Sequence, residues 1–495
     1  MLLPLDATVG RLLRALATAL ACCALLALPA AAAAKRTHDW TRFGVNAARS
    51  NWFKGVAGIG ESDLAKMVRQ DIALPGTVDS SPVYLRDVQV KGGKRDVFIV
   101  STSYGRVIAI GANTGAILWT YTMPSYEEYA HGKAYSPSSP VADKKAGFVY
   151  SVTPDGHVRK LRIRDGGEVL TQQWPAAVTR DPGQEKMSSS LNLSGDHVIA
   201  TTAGHGGDIP PYQGHVAMVN RRSGAIDHVW NALCSRKRFL FDPANDCNEV
   251  LAGIWARAGA VVMPGSHRLL VSTGNAEYNG STHWGDSVLQ LSSDARRVVD
   301  SFTPANYEAM EFYDVDLGST APALLRSGKR WLGLQSGKDG NIRLLDLADM
   351  NGHGKACKCV GGELQYIYYP GDIGVFSTPA VWRKGKKSWA FVTTYETTRA
   401  YRLSNGKKPQ LEVMWEKNRA GSSPVIAGGL LYVFDPVRGG ISVYRPDTGK
   451  RVGVLATPEI GHWNSPVVAD GRVAMGVGNA NEHPTSGTFS IFRKP

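Results

Sequence analysis

The chain of 495 residues has no C-x-x-C-H sequence, so no c-type haem is attached to it. Beyond residue 34 it has no apolar run long enough to cross a bilayer. Helical periodicity is almost missing from residue 39 onward, which excludes bundles and helix-covered sheets as the main architecture. Cysteine is scarce, with six residues, and the only adjacent pair is Cys22-Cys23 near the N-terminus. Long basic blocks are absent as well. The net charge is +13, but it comes from scattered side chains, and Arg236-Lys237-Arg238 and the lysines from 384 to 387 are short clusters in loop-like sequence. Such clusters read as solvated surface, and nucleic acid is not an expected partner. His205, His215, His283 and His462 show no metal-binding spacing and read as polar loop or rim residues.

The one long apolar segment is at the start. Arg11 and Arg14 precede an uncharged run from Ala15 to Leu28, followed by Pro29 and the alanines 30–34. A charged start, an apolar stretch of this length and an A-x-A site describe a secretory signal over residues 1–34, leaving one domain over 35–495. Export to the periplasm or beyond is therefore expected. The alternative is an uncleaved anchor or lipid attachment at Cys22, although Ala19 sits where such sites favour leucine. In an oxidising compartment Cys234 and Cys247 are expected to pair across a polar loop. Cys357 and Cys359 are separated by a single residue, so a bridge between them is expected to be strained. With His353 they still offer too few ligands for a metal.

What the chain does contain is a repeated module. Ser80-Ser81-Pro82-Val83 opens a unit that continues through Val97–Val100 and Arg106–Ile110. Asn113-Thr114-Gly115 then turns the chain into a strand ending on Trp119. Later copies start at Ser138, Ser188, Ala258, Ser319, Ser377, Ser422 and Ser465, several closing on a tryptophan such as Trp174, Trp230 or Trp415. Short β-branched and aromatic runs bounded by Gly, Asn and Asp are strands with turns. Repeats of roughly 40–60 residues with about four strands each are propeller blades. Eight blades are expected, with seven as the alternative count. The last copy lacks an outer strand, and the strand from Lys66 to Ile72 has no unit of its own. The N-terminal strand is thus expected to complete the last blade and close the ring.

Chemistry concentrates between Gly253 and Asp346. This stretch carries Gly253-Ile254-Trp255, Thr273-Gly274-Asn275, Asp314-Val315-Asp316 and Gly337-Lys338-Asp339-Gly340-Asn341. An indole, an amide, paired acids and a lysine are what holding a planar anionic cofactor against a cation requires. Each also has an ordinary use. Gly-Asn is a common turn, Asp-x-Asp caps turns, Lys-Asp-Gly-Asn makes a hairpin, and a tryptophan near a strand start packs blades.

The repeated strand ends, as in Ala109-Ile110-Gly111-Ala112-Asn113-Thr114-Gly115-Ala116-Ile117-Leu118-Trp119, resemble those of the pyrroloquinoline-quinone (PQQ) type repeat propellers, the quinoprotein alcohol dehydrogenase-like family. The opening Asp39-Trp40-Thr41-Arg42-Phe43-Gly44 also resembles that family, and the likeness runs from Asp39 to the C-terminus. It implies an all-β fold and, for catalytic members, PQQ lying on a tryptophan beside calcium or a lanthanide. Carried over residue by residue, the resemblance implies Trp255 as the floor and Lys338 at the quinone carbonyl. Asp314 becomes the base, and Asp316, Asn275, Asp314 and Asp208 surround the ion. Ser189 and Arg257 are the nearest candidates for holding the cofactor's carboxylates. The implied activity is oxidation of a small alcohol or polyol, with electrons passed to a separate acceptor. Two departures stand out: the mature chain has no adjacent cysteines, and Asp208 is one methylene shorter than the family's glutamate. The same fold also serves non-catalytic propellers, so a binding or assembly scaffold for a protein or glycan partner is the alternative.

Overall fold

In the computed structural model, residues 38–205, 209–369 and 374–495 are described. The expected signal segment 1–34 and Asp208 lie outside the described residues. Among the described residues, eight blades follow one another in sequence, each with four antiparallel strands arranged from the inside outward; the seventh carries an added parallel strand, and a two-stranded sheet stands apart from the blades. The first blade runs from Val83 to Thr122 and the fourth from Val261 to Phe302. The fifth covers Ala323–Ile367, the sixth Ala380–Lys417 and the seventh Val425–Leu455. In the eighth, Val68–Leu74 pairs antiparallel with Gly487–Arg493 to supply the outer strand, so the ring closes as the sequence implies. No described helix is long and apolar enough to cross a membrane.

The repeat signature has a direct packing explanation. In three of the repeat turns, Asp165-Gly166, Ser223-Gly224 and Thr448-Gly449, the glycine lies against the tryptophan that ends the preceding blade. A Cβ at Gly166 would sit 2.5 Å from Trp119, one at Gly224 2.9 Å from Trp174, and one at Gly449 2.6 Å from Trp415. Each of these glycines has positive φ, which only glycine adopts without strain. Each indole also donates its N–H to a carbonyl in the next blade: Trp119 to Ile163, Trp174 to Arg222 and Trp415 to Pro446. The serines at the blade starts join the inner ends in the same way. Ser138 donates to Ser189 O (2.7 Å), and Ser465 to Ser423 O (2.8 Å).

A second closure was not legible in the sequence. Residues 40–57 run along the inner edges of the innermost strands and visit the blades in order. Trp40 bridges Tyr84 in blade 1, and Arg42 bridges Val141 in blade 2. Ala47 O accepts from Val262 in blade 4, and Ser50 O from Val381 in blade 6. Trp52–Phe53 pairs parallel with blade 7, and Val56 O accepts from Asp470 in blade 8. Unpaired strand edges are costly when buried, and this strap supplies their partners.

Cys234 and Cys247 are joined as expected, with Cα atoms 6.0 Å apart. Cys357 and Cys359, whose pairing the sequence leaves open, are joined too. The loop that makes this close approach is pinned by the Tyr278 hydroxyl, which lies 3.0 Å from Cys357 O and 2.8 Å from Cys359 O.

Replacing Gly449 with alanine adds both a clash with Trp415 and a strained φ. It should lower stability by about 2–3 kcal/mol, read as a shift of the denaturant midpoint. A change within error would mean that the Trp–Gly contact does not hold neighbouring blades together.

Candidate functional site

On the axis, the loops leading into the innermost strands enclose a cavity of about 330 Å³. Trp255, Arg257, Asp316 and Lys338, all singled out from the sequence, line it together. Trp255 is wedged where a side chain at its neighbours would not fit. A Cβ at Gly253 would lie 2.6 Å from its Nε1, and one at Gly274 3.0 Å from its Cδ1. Tyr212 meets the indole edge-on at 5.7 Å.

Asp316 starts a short 3₁₀ turn, Leu317–Ser319, and is 6% exposed. Its Oδ1 accepts the Asn275 backbone N–H at 2.9 Å, and its carbonyl accepts the Lys338 N–H at 2.8 Å. The Lys338 ammonium lies 2.7 Å from Asp314 Oδ2 and 3.6 Å from Asp316 Oδ2, so one cation serves both acids. Asn275 donates its side-chain amide to Met310 O (2.9 Å) and Asp286 Oδ2 (3.2 Å). Its Oδ1 is buried with no hydrogen-bond partner. Burial pushes the Asp286 carboxyl far above the ordinary carboxylate range, and nearby Asp316, Glu311 and Asp339 add to this.

Not all the expected residues point inward. Asp314 has a side chain 65% exposed and does not line the cavity; it touches the site only through Lys338. Ser189 is buried and donates its hydroxyl to Ile254 O (2.8 Å), joining blades 3 and 4, while its neighbour Ser188 faces the cavity. Among the described residues, no group of three or more His, Cys, Asp or Glu side chains is arranged to hold a metal ion.

The opposite wall was missed in the sequence. Asp79, 1% exposed, accepts from His462 Nδ1 at 2.7 Å and from the backbone N–H groups of Trp463 and Ala480 at 3.1 Å each. The Arg257 guanidinium approaches Asp79 to 3.8 Å and donates to Pro137 O at 2.8 Å. Burial alone would raise the Asp79 carboxyl, but His462 and Arg257 outweigh it and hold the group below its usual value. His462, read from the sequence as a rim residue, therefore lies in the cavity. Its ring rests on Trp463 (4.5 Å) and its Nε2 is 3.5 Å from Asn481 Nδ2. His215 also departs from that reading. It is core: Val178 O and Thr202 hold its ring at 2.6 and 3.0 Å, and burial pulls its pKa down to about 4. The overlooked residues share a position. Asp79, Tyr135, Lys186 and His462-Trp463 all fall within a few residues before a blade's opening serines, where side chains turn toward the axis.

Residues 76–238 match the sequence model of a family described as outer membrane protein assembly factor BamB. No curated protein is a recognisable sequence relative of the chain. Among solved structures, the quinohemoprotein alcohol dehydrogenase from Comamonas testosteroni superposes with a TM-score of 0.66. It is 15% identical, and the match covers 93% of this chain and 81% of that one. A europium-containing methanol dehydrogenase gives 0.64 at 13% identity, over 92% and 98% of the two chains. The fold is that of the PQQ-type repeat propellers. At these identities the likeness establishes architecture and leaves the chemistry to the residues themselves.

Lys186 reaches the cavity from a two-stranded piece, Glu185–Lys186 paired with Ala203–Gly204, and its ammonium lies 4.7 Å from the Tyr135 ring centre. Glu185 anchors this piece. It is buried, accepts from Thr179 Oγ1 and Gln213 N–H, and burial pushes its pKa up to about 7 from 4.5. The unfolded chain ionises this carboxyl more readily than the folded one. Its contribution is therefore fully present below pH 4.5 and lost as pH rises through about 7. Glu185→Gln should remove that slope, so the variant gains on the parent by about 2–3 kcal/mol between pH 4.5 and 8. Parallel stability curves for the two proteins would contradict a buried, proton-holding Glu185.

Proposed function

We propose that the chain is an exported redox propeller that holds PQQ in the axial cavity and oxidises a small alcohol or polyol. The observation that carries this reading is the convergence of Trp255, Arg257, Asp316 and Lys338 on one cavity, with the Asn275 backbone N–H fixing the Asp316 carboxylate. A cavity of about 330 Å³ lies at the lower end of the usual range for small-ligand sites. The residues present suit a flat polyanion. Trp255 offers a ring face, Lys338 and Lys186 offer ammonium groups from two sides, and Arg257 offers a guanidinium edge. Bound there, the quinone would supply the two-electron acceptor for the alcohol's hydride.

The chain's own residues would handle the proton and the charge. Asp316, rather than the more exposed Asp314, faces the cavity and is placed to accept the hydroxyl proton. Lys338 would stabilise negative charge developing at a carbonyl oxygen, with Asp314 holding its ammonium in position. Calcium or a lanthanide is less well provided for. Among the described residues, the cavity lining offers the Asp316 carboxylate beside the Lys338 ammonium and does not include Asn275, short of the roughly six to eight oxygens calcium takes. Asp208 would have to add to that shell.

A non-catalytic scaffold that binds a protein partner is a second reading, favoured by the family match over residues 76–238. The two separate on cofactor uptake. Purified protein incubated with PQQ, in the presence of calcium, lanthanum or neither, should show quenched tryptophan fluorescence and alcohol-dependent dye reduction. Trp255→Ala should weaken uptake by tenfold or more. Asp316→Asn should retain uptake while slowing dye reduction by a factor on the order of 10²–10⁴. No uptake in any of the three conditions would eliminate the redox reading and leave the scaffold.

A further inference from the structure

Among the described residues, the strap of residues 40–57 forms hydrogen bonds with every blade but one. Among the described residues, its backbone bonds to blades 1, 2, 4, 6, 7 and 8, and side chains from it reach blade 3. Among the described residues of blade 5, none receives a hydrogen bond from it. Between Ala47, bound to blade 4, and Ser50, bound to blade 6, the strap passes over the inner strand Ala323–Ser327. There the structure opens a groove of about 390 Å³, larger than the axial cavity. The groove lies at the end of the inner strands away from that cavity, since Met263, Arg326 and Arg383 at those strand ends line it.

Its chemistry is one-sided. Trp52, Trp331 and Trp382 form its aromatic lining, and the charged side chains that join them are Lys54, Arg326 and Arg383. Among the described residues, no aspartate or glutamate lines it. Lys54 Nζ stands 4.3 Å over the Trp52 ring, and the Arg326 guanidinium 4.5 Å over Trp331, so the cations are held at the groove rather than swept into solvent. Sugars can stack on indoles, but their hydroxyls favour carboxylate and amide partners, and these walls are cationic. Indole rings interleaved with cations suit an extended chain that carries acidic and apolar side chains in alternation.

We infer that this groove binds a short, extended acidic peptide segment of a partner protein, one carrying an aromatic or aliphatic side chain. The acidic residues would meet Lys54, Arg326 and Arg383, and the apolar side chain would enter between Trp331 and Trp382. The inference does not depend on the axial cavity holding a cofactor.

The test uses the full chain and a fluorescein-labelled peptide, Glu-Trp-Glu-Leu-Glu, followed by fluorescence polarisation. Binding should weaken at least tenfold with Arg326→Glu plus Arg383→Glu and with Trp382→Ala, and should be unchanged by Trp255→Ala in the axial cavity. The peptide with lysine in place of glutamate should bind at least tenfold more weakly. Melting curves matching the parent identify variants that have kept the fold, and Arg383→Glu alone, at an exposed position, is the fallback. Equal binding of the lysine peptide, or no effect of the groove variants, would overturn the proposal. So would 2-naphthoate competing as tightly as the peptide, which would mark a small-molecule site instead.

Discussion

A guanidinium buried on the axis ties the architecture together. Arg49 is 1% exposed, and its Nε and terminal nitrogens donate to four backbone carbonyls: Ala258, Phe43, Ser190 and Leu191. No carboxylate is among these partners, so the charge is stabilised by oriented peptide dipoles, and burial pulls its pKa well below the ordinary value. An ion placed this way is expensive unless all its donors are used. Here they fasten the strap to the inner ends of blades 3 and 4 at once. Asn51 and Asn192 extend the same role, donating to Thr378 O and to Ala47 O and Ala260 O. The outer strand supplied by residues 68–74 closes the ring at its rim, and the strap closes it at its hub.

The rim closure was legible and the hub closure was not, for a physical reason. Blade-to-blade contacts repeat eightfold, so the Trp–Gly and Ser-Pro signals appear several times and reinforce one another. The strap occurs once, and each of its residues meets a different blade. It carries no period, and most of its hydrogen bonds use backbone atoms that any sequence would provide. Arg49 lies ahead of the first repeat and belongs to none. Nothing in its neighbours indicated that it would be buried.

The site divides along similar lines. Residues within the dense stretch from Gly253 to Lys338 converge because the loops of blades 4 and 5 are neighbours, and three Gly positions let Trp255 and Asp316 approach closely. Sequence order ranked Asp314 before Asp316, but the left-handed φ of Asp314 (53°) and the 3₁₀ turn beginning after Asp316 decide which carboxylate turns inward. The far wall draws on blades 1, 2, 3 and 8, hundreds of residues apart, and no local motif announces it. Asp79 and His462 are 383 residues apart in sequence and 2.7 Å apart in space. Ring closure is what makes them neighbours.

The two ends of the hub have opposite electrostatic designs, and this bears on how a single chain could serve both. The axial cavity balances Arg257, Lys186 and Lys338 against Asp79 and Asp316, with most of these charges buried and hydrogen-bonded. A ligand entering it must displace or share existing partners, which rewards a precise fit and punishes a poor one. The groove over blade 5 holds cations without acids, and its charges stay near solvent. A ligand there gains mainly from long-range attraction and ring contact, so many acidic sequences would be tolerated and salt would weaken them all. The strap separates the two, because its backbone bonds occupy the inner edges that would otherwise connect them. Selectivity at one end and tolerance at the other thus follow from where the hub pairs its charges and where it holds cations against aromatic rings alone.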